Sequence, residues 1–389
     1  MKTKTFCPIP YMGGCVRPDG YLSVCCVSKD YKDSDIEQFF YTDFDKWTNS
    51  EQIQNFRKDL ANGIEHKWCE RCWVNEKNKN KSMRQGYISG LYPWDVKEAL
   101  NQYKQKETVF NSQIKFLDFK LGNLCNLMCV MCNPHSSSRI LTERIKNPDI
   151  FLDADKFKNI DYTWPETTDF LKFIEQYGHS LSYVKFTGGE PLINPYILNV
   201  LDRLNKKCIV NISTNGTVSD SAILTKLQEF ENVWITISVD AVDKLYNYIR
   251  YPSNYDNIHK NIIKYQKQIP HGVFDIAVTI GFVSLLDIDN TINKLSQFVN
   301  DFTLIKVNSP KFLSVNAIPE FYAEVIAEKI KNINNQNVAK RIDNILSNRK
   351  FDNDLYLDFL KYINNLNKVR KLNFNHLNYL SPYAMQDQS

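Results

Sequence analysis

The chain has 389 residues, of which 43% are apolar, 13% aromatic and 24% charged. This composition excludes intrinsic disorder, collagen and coiled coil, and at ~150 residues per domain the length allows two or three domains or one large barrel with an appendage. With 48 basic against 44 acidic residues the net charge is +4, too weak and too evenly spread to make nucleic acid or an anionic membrane the main partner.

The first residues, MKTKTFCPIPYMGG, are basic but run into Pro and Gly instead of an apolar stretch, so no signal peptide is expected. No apolar run approaches the ~20 residues that span a bilayer, and the expected location is the cytoplasm. Ten cysteines in such a chain are not expected to form a disulfide framework, because that compartment keeps thiols reduced. Six of them fall in the first 72 residues (Cys7, Cys15, Cys25, Cys26, Cys69 and Cys72), three more at Cys125, Cys129 and Cys132, and Cys208 stands alone. Clustered thiols of this kind point to metal or redox chemistry. The six histidines form no ligand spacing.

In chain order, residues 1–76 read as a small cysteine-rich domain with short strands and little core, and 77–112 as a polar linker with some helical character. Over 113–310, strands are expected at 114–120, 182–187, 208–213, 233–239, 274–283 and 303–308, each short, rich in β-branched or aromatic residues and bounded by turn residues. Helical stretches separate them, at 167–177, 221–230, 257–268 and 289–300. This alternation implies a parallel sheet with right-handed crossovers. The expected fold class is therefore α/β, a partial (β/α)6 TIM-type barrel between the cysteine-rich domain and a helical, Asn/Lys-rich C-terminal extension over 311–389. Its last residues, SPYAMQDQS, read as a frayed tail.

The strongest motif is LGNLCNLMCVMCNP (121–134), in which Cys125, Cys129 and Cys132 follow the spacing C-x3-C-x2-C directly after the first barrel strand. Active sites of βα barrels lie at the C-terminal ends of strands, where this loop emerges. Three thiolates from one tight loop can hold three irons of a 4Fe–4S cube, leaving a fourth iron open to a small molecule. An incomplete zinc site is the alternative, although zinc prefers four closed ligands.

This segment resembles the signature of the radical S-adenosylmethionine (SAM) superfamily, with Met131 where an aromatic residue usually precedes the third Cys. Further segments resemble the superfamily's SAM contacts. The second strand ends in Gly188-Gly189-Glu190, like its GGE motif; two glycines allow close backbone approach, and nearby carbonyls can accept from the methionine ammonium. Ser213 and Asn215 end the third strand, Ser238 and Asp240 the fourth, as candidate groups for the ribose and the methionine carboxylate. The alternative is a pair of ordinary polar strand-end turns. Arg250 stands where relatives often place a basic residue facing that carboxylate, although a solvated Arg fits equally, and Ile280 and Val283 are candidates to pack the adenine.

The N-terminal stretch CPIPYMGGCVRPDGYLSVCC, followed by CERCW, has the spacing C-x12-G-x4-C and then C-x2-C. It resembles the first part of the SPASM/twitch module, which holds auxiliary 4Fe–4S clusters. The resemblance implies Cys7, Cys25, Cys69 and Cys72 as ligands of one such cluster, with Asp19-Gly20 turning the hairpin that brings Cys25 back toward Cys7. The cysteines of a second auxiliary cluster are absent, and the module precedes the barrel where most relatives place it after. A four-cysteine zinc knuckle is the alternative. Cys26 could replace Cys25 as a ligand. Cys208 reads as a small buried hydrophobe, and a hydrogen-donor thiol is a further reading of Cys15, Cys26 or Cys208.

Over roughly residues 7–310 the resemblance implies a radical SAM enzyme. SAM chelates the open iron of the Cys125/Cys129/Cys132 cluster, and an external reductant such as flavodoxin or ferredoxin supplies the electron that cleaves it. The resulting 5′-deoxyadenosyl radical takes hydrogen from an unreactive C–H bond. The implied auxiliary cluster favours electron transfer over substrate anchoring. A peptide or protein side chain is the first expected substrate, and a small molecule such as a sugar, dehydrogenated or epimerised, the second. The different-class alternative is a non-enzymatic zinc or electron-transfer metalloprotein, which leaves Gly188-Gly189-Glu190 and the polar strand ends unexplained.

Overall fold

The computed structural model describes residues 4–78, 81–89 and 95–379; the tail 381–389 and parts of the expected linker lie outside them. The chain divides into two compact units. One comprises Met1–Leu124, Ile160–Ile212 and Ser221–Val233; the other comprises Cys125–Asn159, Ser213–Asp220 and Trp234–Ser389.

In the first unit the strands β1 (Gly13–Val16), β2 (Leu22–Ser23), β3 (Phe116–Phe119), β4 (Tyr183–Phe186) and β5 (Ile209–Thr214) lie in the order β2-β1-β3-β4-β5. Only the β1–β2 hairpin among these pairings is antiparallel. It turns at Gly20, whose φ of +79° suits glycine and whose Cβ would strike the Phe40 ring. The three expected strands are present as β3, β4 and β5. The sheet also takes in β1 and β2 from the cysteine-rich stretch, which the strand pattern alone did not anticipate.

One face of β3–β5 is apolar, carrying Leu117, Phe119, Val184, Phe186, Val210 and Ile212, all buried. The helix Thr168–Tyr177 starts where the Thr167 hydroxyl accepts the Phe170 N–H, and it buries Phe170 and Phe173 against Phe119. Against the expectation of little core, the N-terminal stretch buries Phe6, Tyr11, Phe44, Trp47, Phe56 and Leu60, and it wraps backbone around buried Arg57. Its guanidinium donates to the carbonyls of Pro10, Thr48 and Thr108 at 2.7–2.8 Å.

The second unit carries most of β6 (Asn232–Ser238), with β7 (Val273–Ile280) and β8 (Phe302–Lys306), and the pairings β6–β7 and β7–β8 are parallel. The fold is α/β with mostly parallel strands, as expected. β7 ends at Ile280, three residues earlier than expected. A Cβ on Gly281 would fall 2.6 Å from the Leu313 carbonyl oxygen, and the chain turns there into the short helix Phe282–Leu285, which carries Val283. The extension forms helices Glu320–Lys331, Gln336–Ser347 and Asn353–Arg370. Phe282 stacks on Phe359 at 4.2 Å, and buried Lys329 donates to the Leu286 carbonyl at 2.6 Å. No helix among the described residues is long and apolar enough to cross a membrane.

Candidate functional site

In the second unit the loop bearing Cys125, Cys129 and Cys132 is pinned from several sides. The Met128 N–H donates to Tyr251 O at 2.7 Å and the Val130 N–H to Ile249 O at 2.8 Å, bracketing Arg250. The Cys132 N–H bonds Cys129 O at 3.0 Å, closing the turn between two thiols. The Leu127 N–H points at Cys125 Sγ, 3.5 Å away, and Ser138 Oγ accepts the Cys125 N–H. The Cys129 thiol is pushed up to about 12 and the Cys132 thiol to about 11, chiefly by burial; Cys125 raises both and Cys132 also raises Cys129, while the Arg250 charge pulls both of these thiols back.

Arg250 and Asp240, two of the expected SAM contacts, meet each other. Arg250 Nη2 lies 2.6 Å from Asp240 Oδ2, an ion pair outside hydrogen-bond alignment, and Asp240 Oδ1 accepts the Thr279 N–H at 2.8 Å. Both residues are buried, and Arg250 Nε has no hydrogen-bond partner among the described residues. Asn215 is held by the cysteine loop itself. Its Nδ2 donates to Asn126 Oδ1 at 2.8 Å, Asn126 Nδ2 donates to Thr217 Oγ1 at 2.8 Å, and Asn215 Oδ1 accepts the Thr217 N–H at 2.9 Å. Ser213 and Ser238 are half-buried at their strand ends.

The Gly188-Gly189-Glu190 turn belongs to the first unit. Gly188 has φ +77°, and a Cβ on Gly189 would sit 2.2 Å from Leu124 O, which accepts the Glu190 N–H at 2.7 Å. The buried Glu190 carboxylate accepts the Leu192 N–H at 2.9 Å, so it caps the turn that follows.

The N-terminal cysteines of the first unit sort into two groups. Cys7, Cys25, Cys69 and Cys72 feel one another's charge, and burial holds all four thiols above their ordinary value, Cys7 at about 12. The Arg84 guanidinium opposes this at Cys7, Cys69 and Cys72. It is anchored by Glu76 and by Phe6 O at 2.7 Å. Cys26, the strongest of the thiols acting on Cys25, lies also beside Asp118, Lys120 and Lys185, and Cys15 lies beside Asp118, Lys120 and Cys26. Cys208 is 1% exposed just before β5.

No group of three or more His, Cys, Asp or Glu side chains among the described residues is gathered tightly enough to hold a metal ion. A four-iron cube spreads its thiolates over separate irons, so its ligands stand further apart than those of one ion. Both donor sets suit such a group: soft thiols, buried or half-buried, with one cation in each set, Arg250 or Arg84, to offset thiolate charge.

Sequence reading missed Asn126, Thr217, Arg84 and Tyr362, whose hydroxyl donates to Val130 O at 2.9 Å. It also missed a cavity of about 530 Å³ in the second unit, lined by Met128, Arg139, Glu143, Lys146, Tyr251 and Arg370 among others. Asn126 and Met128 stand at variable positions inside the cysteine motif, and the others belong to no spaced motif and are joined to the loop or lining by folding alone.

Residues 119–295 match the family model of the Radical SAM superfamily. The S-adenosylmethionine-dependent nucleotide dehydratase of Flammeovirga pacifica is 24% identical over 200 residues, 49% of this chain and 60% of that protein. A probable GTP 3′,8-cyclase of Methanocella arvoryzae is 24% identical over 135 residues, 35% of this chain and 37% of the other. The chain thus spans less than two thirds of the length of either curated relative. Among solved structures, Streptococcus suis SuiB bound to S-adenosylmethionine is 13% identical with a TM-score of 0.35, covering 79% of this chain and 65% of its own. Over residues 119–295, somewhat under half of its length, the chain is thus similar to the radical SAM superfamily.

Proposed function

We propose that the chain reductively cleaves SAM at a 4Fe–4S cluster held by Cys125, Cys129 and Cys132 and abstracts hydrogen from an unreactive C–H bond of a small polar substrate. The observation that carries this reading is the pinned loop, three neighbouring thiols, one buried and two half-buried, with Arg250 and Asp240 beside Cys129. When bound, the cluster and SAM supply the radical chemistry. The chain's own residues do the rest. Arg250 offsets the charge that gathers on the thiolates. Asn215, fixed by Asn126, and Ser213 and Ser238 offer hydrogen bonds to the ribose and methionine carboxylate. The Gly188-Gly189-Glu190 turn offers backbone carbonyls to the methionine ammonium.

Cys7, Cys25, Cys69 and Cys72 hold an auxiliary 4Fe–4S cluster in this reading. With four thiolates and no exchangeable ligand, it serves electron transfer, and a flavodoxin- or ferredoxin-type protein supplies the reducing electron. Support for a small polar substrate comes from the nucleotide named in one curated relative and the GTP named in the other. A peptide or protein side chain is the second reading, favoured by the grouping of those four cysteines in a SPASM/twitch-like spacing.

The test is anaerobic reconstitution with iron and zinc analysis, followed by incubation with dithionite and SAM. About eight irons per chain, from two four-iron clusters, with 5′-deoxyadenosine formed, is the expected result. Replacing Cys125, Cys129 and Cys132 together by Ala should abolish deoxyadenosine and leave the N-terminal cluster's absorption. Zinc alone, with SAM left intact, would overturn the reading.

A further inference from the structure

The cavity of about 530 Å³ in the second unit has a charge pattern that the radical reading leaves unused. Arg139, Lys146, Arg370 and Lys371 line it, against the single carboxylate of Glu143. That carboxylate is already committed, because both its oxygens accept from Arg370. Arg139, Lys146 and Lys371 are exposed, and the Nζ groups of the two lysines make no ion pair among the described residues. Like charges around one recess repel one another unless an anion lies between them.

Arg370 adds a directional group. Its side chain is 2% exposed, Nε and Nη2 are used by Glu143, and Nη1 has no hydrogen-bond partner among the described residues. The guanidinium lies over the Tyr251 ring, with Cζ 5.4 Å from the ring centre. A buried donor left unpaired costs stability, and such a group is kept where something outside the fold completes it. Lys371 follows in left-handed backbone, φ +53°, at the end of helix Asn353–Arg370, where glycine is the unstrained choice. The cysteine loop closes the cavity on another side: Met128 lines it, and Arg139 Nη1 donates to Asn126 O at 3.0 Å.

We propose that this cavity binds a phosphate-bearing small molecule, its phosphates held by Arg139, Lys146 and Lys371 and by Arg370 Nη1. Guanidinium groups match phosphate oxygens, and pockets of about 300–1,000 Å³ take molecules up to nucleotide size. A neutral or apolar ligand is excluded, since it would leave the cations and Nη1 unanswered. No residue assigned to SAM above lines the cavity, so the proposal stands apart from the radical reading.

Anaerobic isothermal titration of the reconstituted full-length protein tests it, with pyrophosphate, ADP and adenosine as probes. Pyrophosphate and ADP should bind, and adenosine should not. Tighter binding of ADP would assign a nucleotide, and equal affinities a simpler phosphate compound; both support the site. Lys146→Gln/Lys371→Gly should weaken both anions about tenfold, because two charge-assisted contacts are lost. Its melting temperature should hold, because glycine relieves the left-handed turn. Unchanged affinity in this variant, or no binding of either anion to the wild type, would overturn the proposal. So would displacement of pyrophosphate by saturating SAM, which would put the anion in the SAM site. A variant that keeps its anion affinity but is no longer reduced by flavodoxin would assign the cations to docking of the electron donor, and the proposal falls. The titrations require neither SAM cleavage nor turnover, so failure of the radical reaction is distinguishable from failure of this site.

Discussion

Arg370 and Glu143, 227 residues apart, form a two-pronged ion pair, Nε to Oε1 at 2.7 Å and Nη2 to Oε2 at 2.8 Å. Their side chains are 2% and 7% exposed. The pair ties the last turn of helix Asn353–Arg370 to helix Ser138–Ile145, which begins six residues after Cys132. Tyr362, on the same C-terminal helix, holds Val130 within the cysteine loop. The extension, whose composition alone points to no particular role, thus acts as a clamp on the three-cysteine loop.

Breaking the clamp from one side should be far worse than removing it whole. Glu143→Leu leaves Arg370 charged and buried, a change that costs about 3–5 kcal/mol where a buried pair loses one partner. Glu143→Leu/Arg370→Met should recover most of that loss, since well-packed apolar replacements are often neutral or better. Urea unfolding of the reconstituted protein measures both. A single variant within about 0.5 kcal/mol of wild type, the ordinary range for surface substitutions, would mean that water reaches the pair.

Arg250 sits in a comparable position with an added electrostatic duty. Arg250→Met leaves Asp240 as an unpaired buried carboxylate next to Cys129, so stability should fall by several kcal/mol. Removing a cation beside the thiolates also disfavours the more negative, reduced form of anything they hold, so the cluster's reduction potential should drop. Arg250→Lys keeps the charge and should restore the potential more fully than the stability, because Lys lacks the planar fork. A redox titration followed by electron paramagnetic resonance reads the potential. An unchanged potential in Arg250→Met would show that the charge does not reach the cluster.

The six barrel strands were readable from apolar runs such as IKFLDFK and VWITISV, because strand spacing and bounding turns are local properties. The three-cysteine loop was equally local. What composition and period could not supply was the company each residue keeps. Arg84 is an ordinary basic residue in a polar stretch until folding sets it beside Cys7, Cys69 and Cys72. Likewise nothing near Asn126 in sequence points to Asn215, 89 residues on. The end of β7 was misjudged because Gly281 yields to the Leu313 carbonyl, a contact with no local trace.

Gly189→Ala tests the seating of the glycine turn. The added Cβ would lie 2.2 Å from Leu124 O, backbone on backbone, so the turn must move away from the residue that precedes Cys125. SAM binding, measured by equilibrium dialysis on reconstituted protein, should be lost or severely weakened. Gly86→Ala is the control. It lies within helix Met83–Ile88 and its new methyl meets nothing within 4 Å, so it should stabilise by about 0.5–1 kcal/mol and leave SAM binding intact. Equal SAM affinity in Gly189→Ala and wild type would remove the turn from the site.

Acid should loosen the cysteine-rich stretch through His66. Its Nδ1 accepts the Trp68 N–H at 3.2 Å, just before Cys69, and burial lowers its pKa below the ordinary 6.5 despite Asp59 at 3.8 Å. The folded form therefore keeps His66 neutral. Below about pH 6.5 the unfolded chain takes up the proton more readily than the fold does. The stabilising contribution is thus fully present above pH 6.5 and declines as pH falls through the folded value, where a protonated Nδ1 can no longer accept from Trp68. Buried His376, also lowered by burial, adds to the decline from the C-terminal region. Urea unfolding at pH 7.5, 6.5 and 5.5 should show wild-type stability flat across the first interval and falling across the second. His66→Gln, which retains an acceptor without titrating, should flatten part of that fall. An identical acid slope in the variant would assign the loss to other groups.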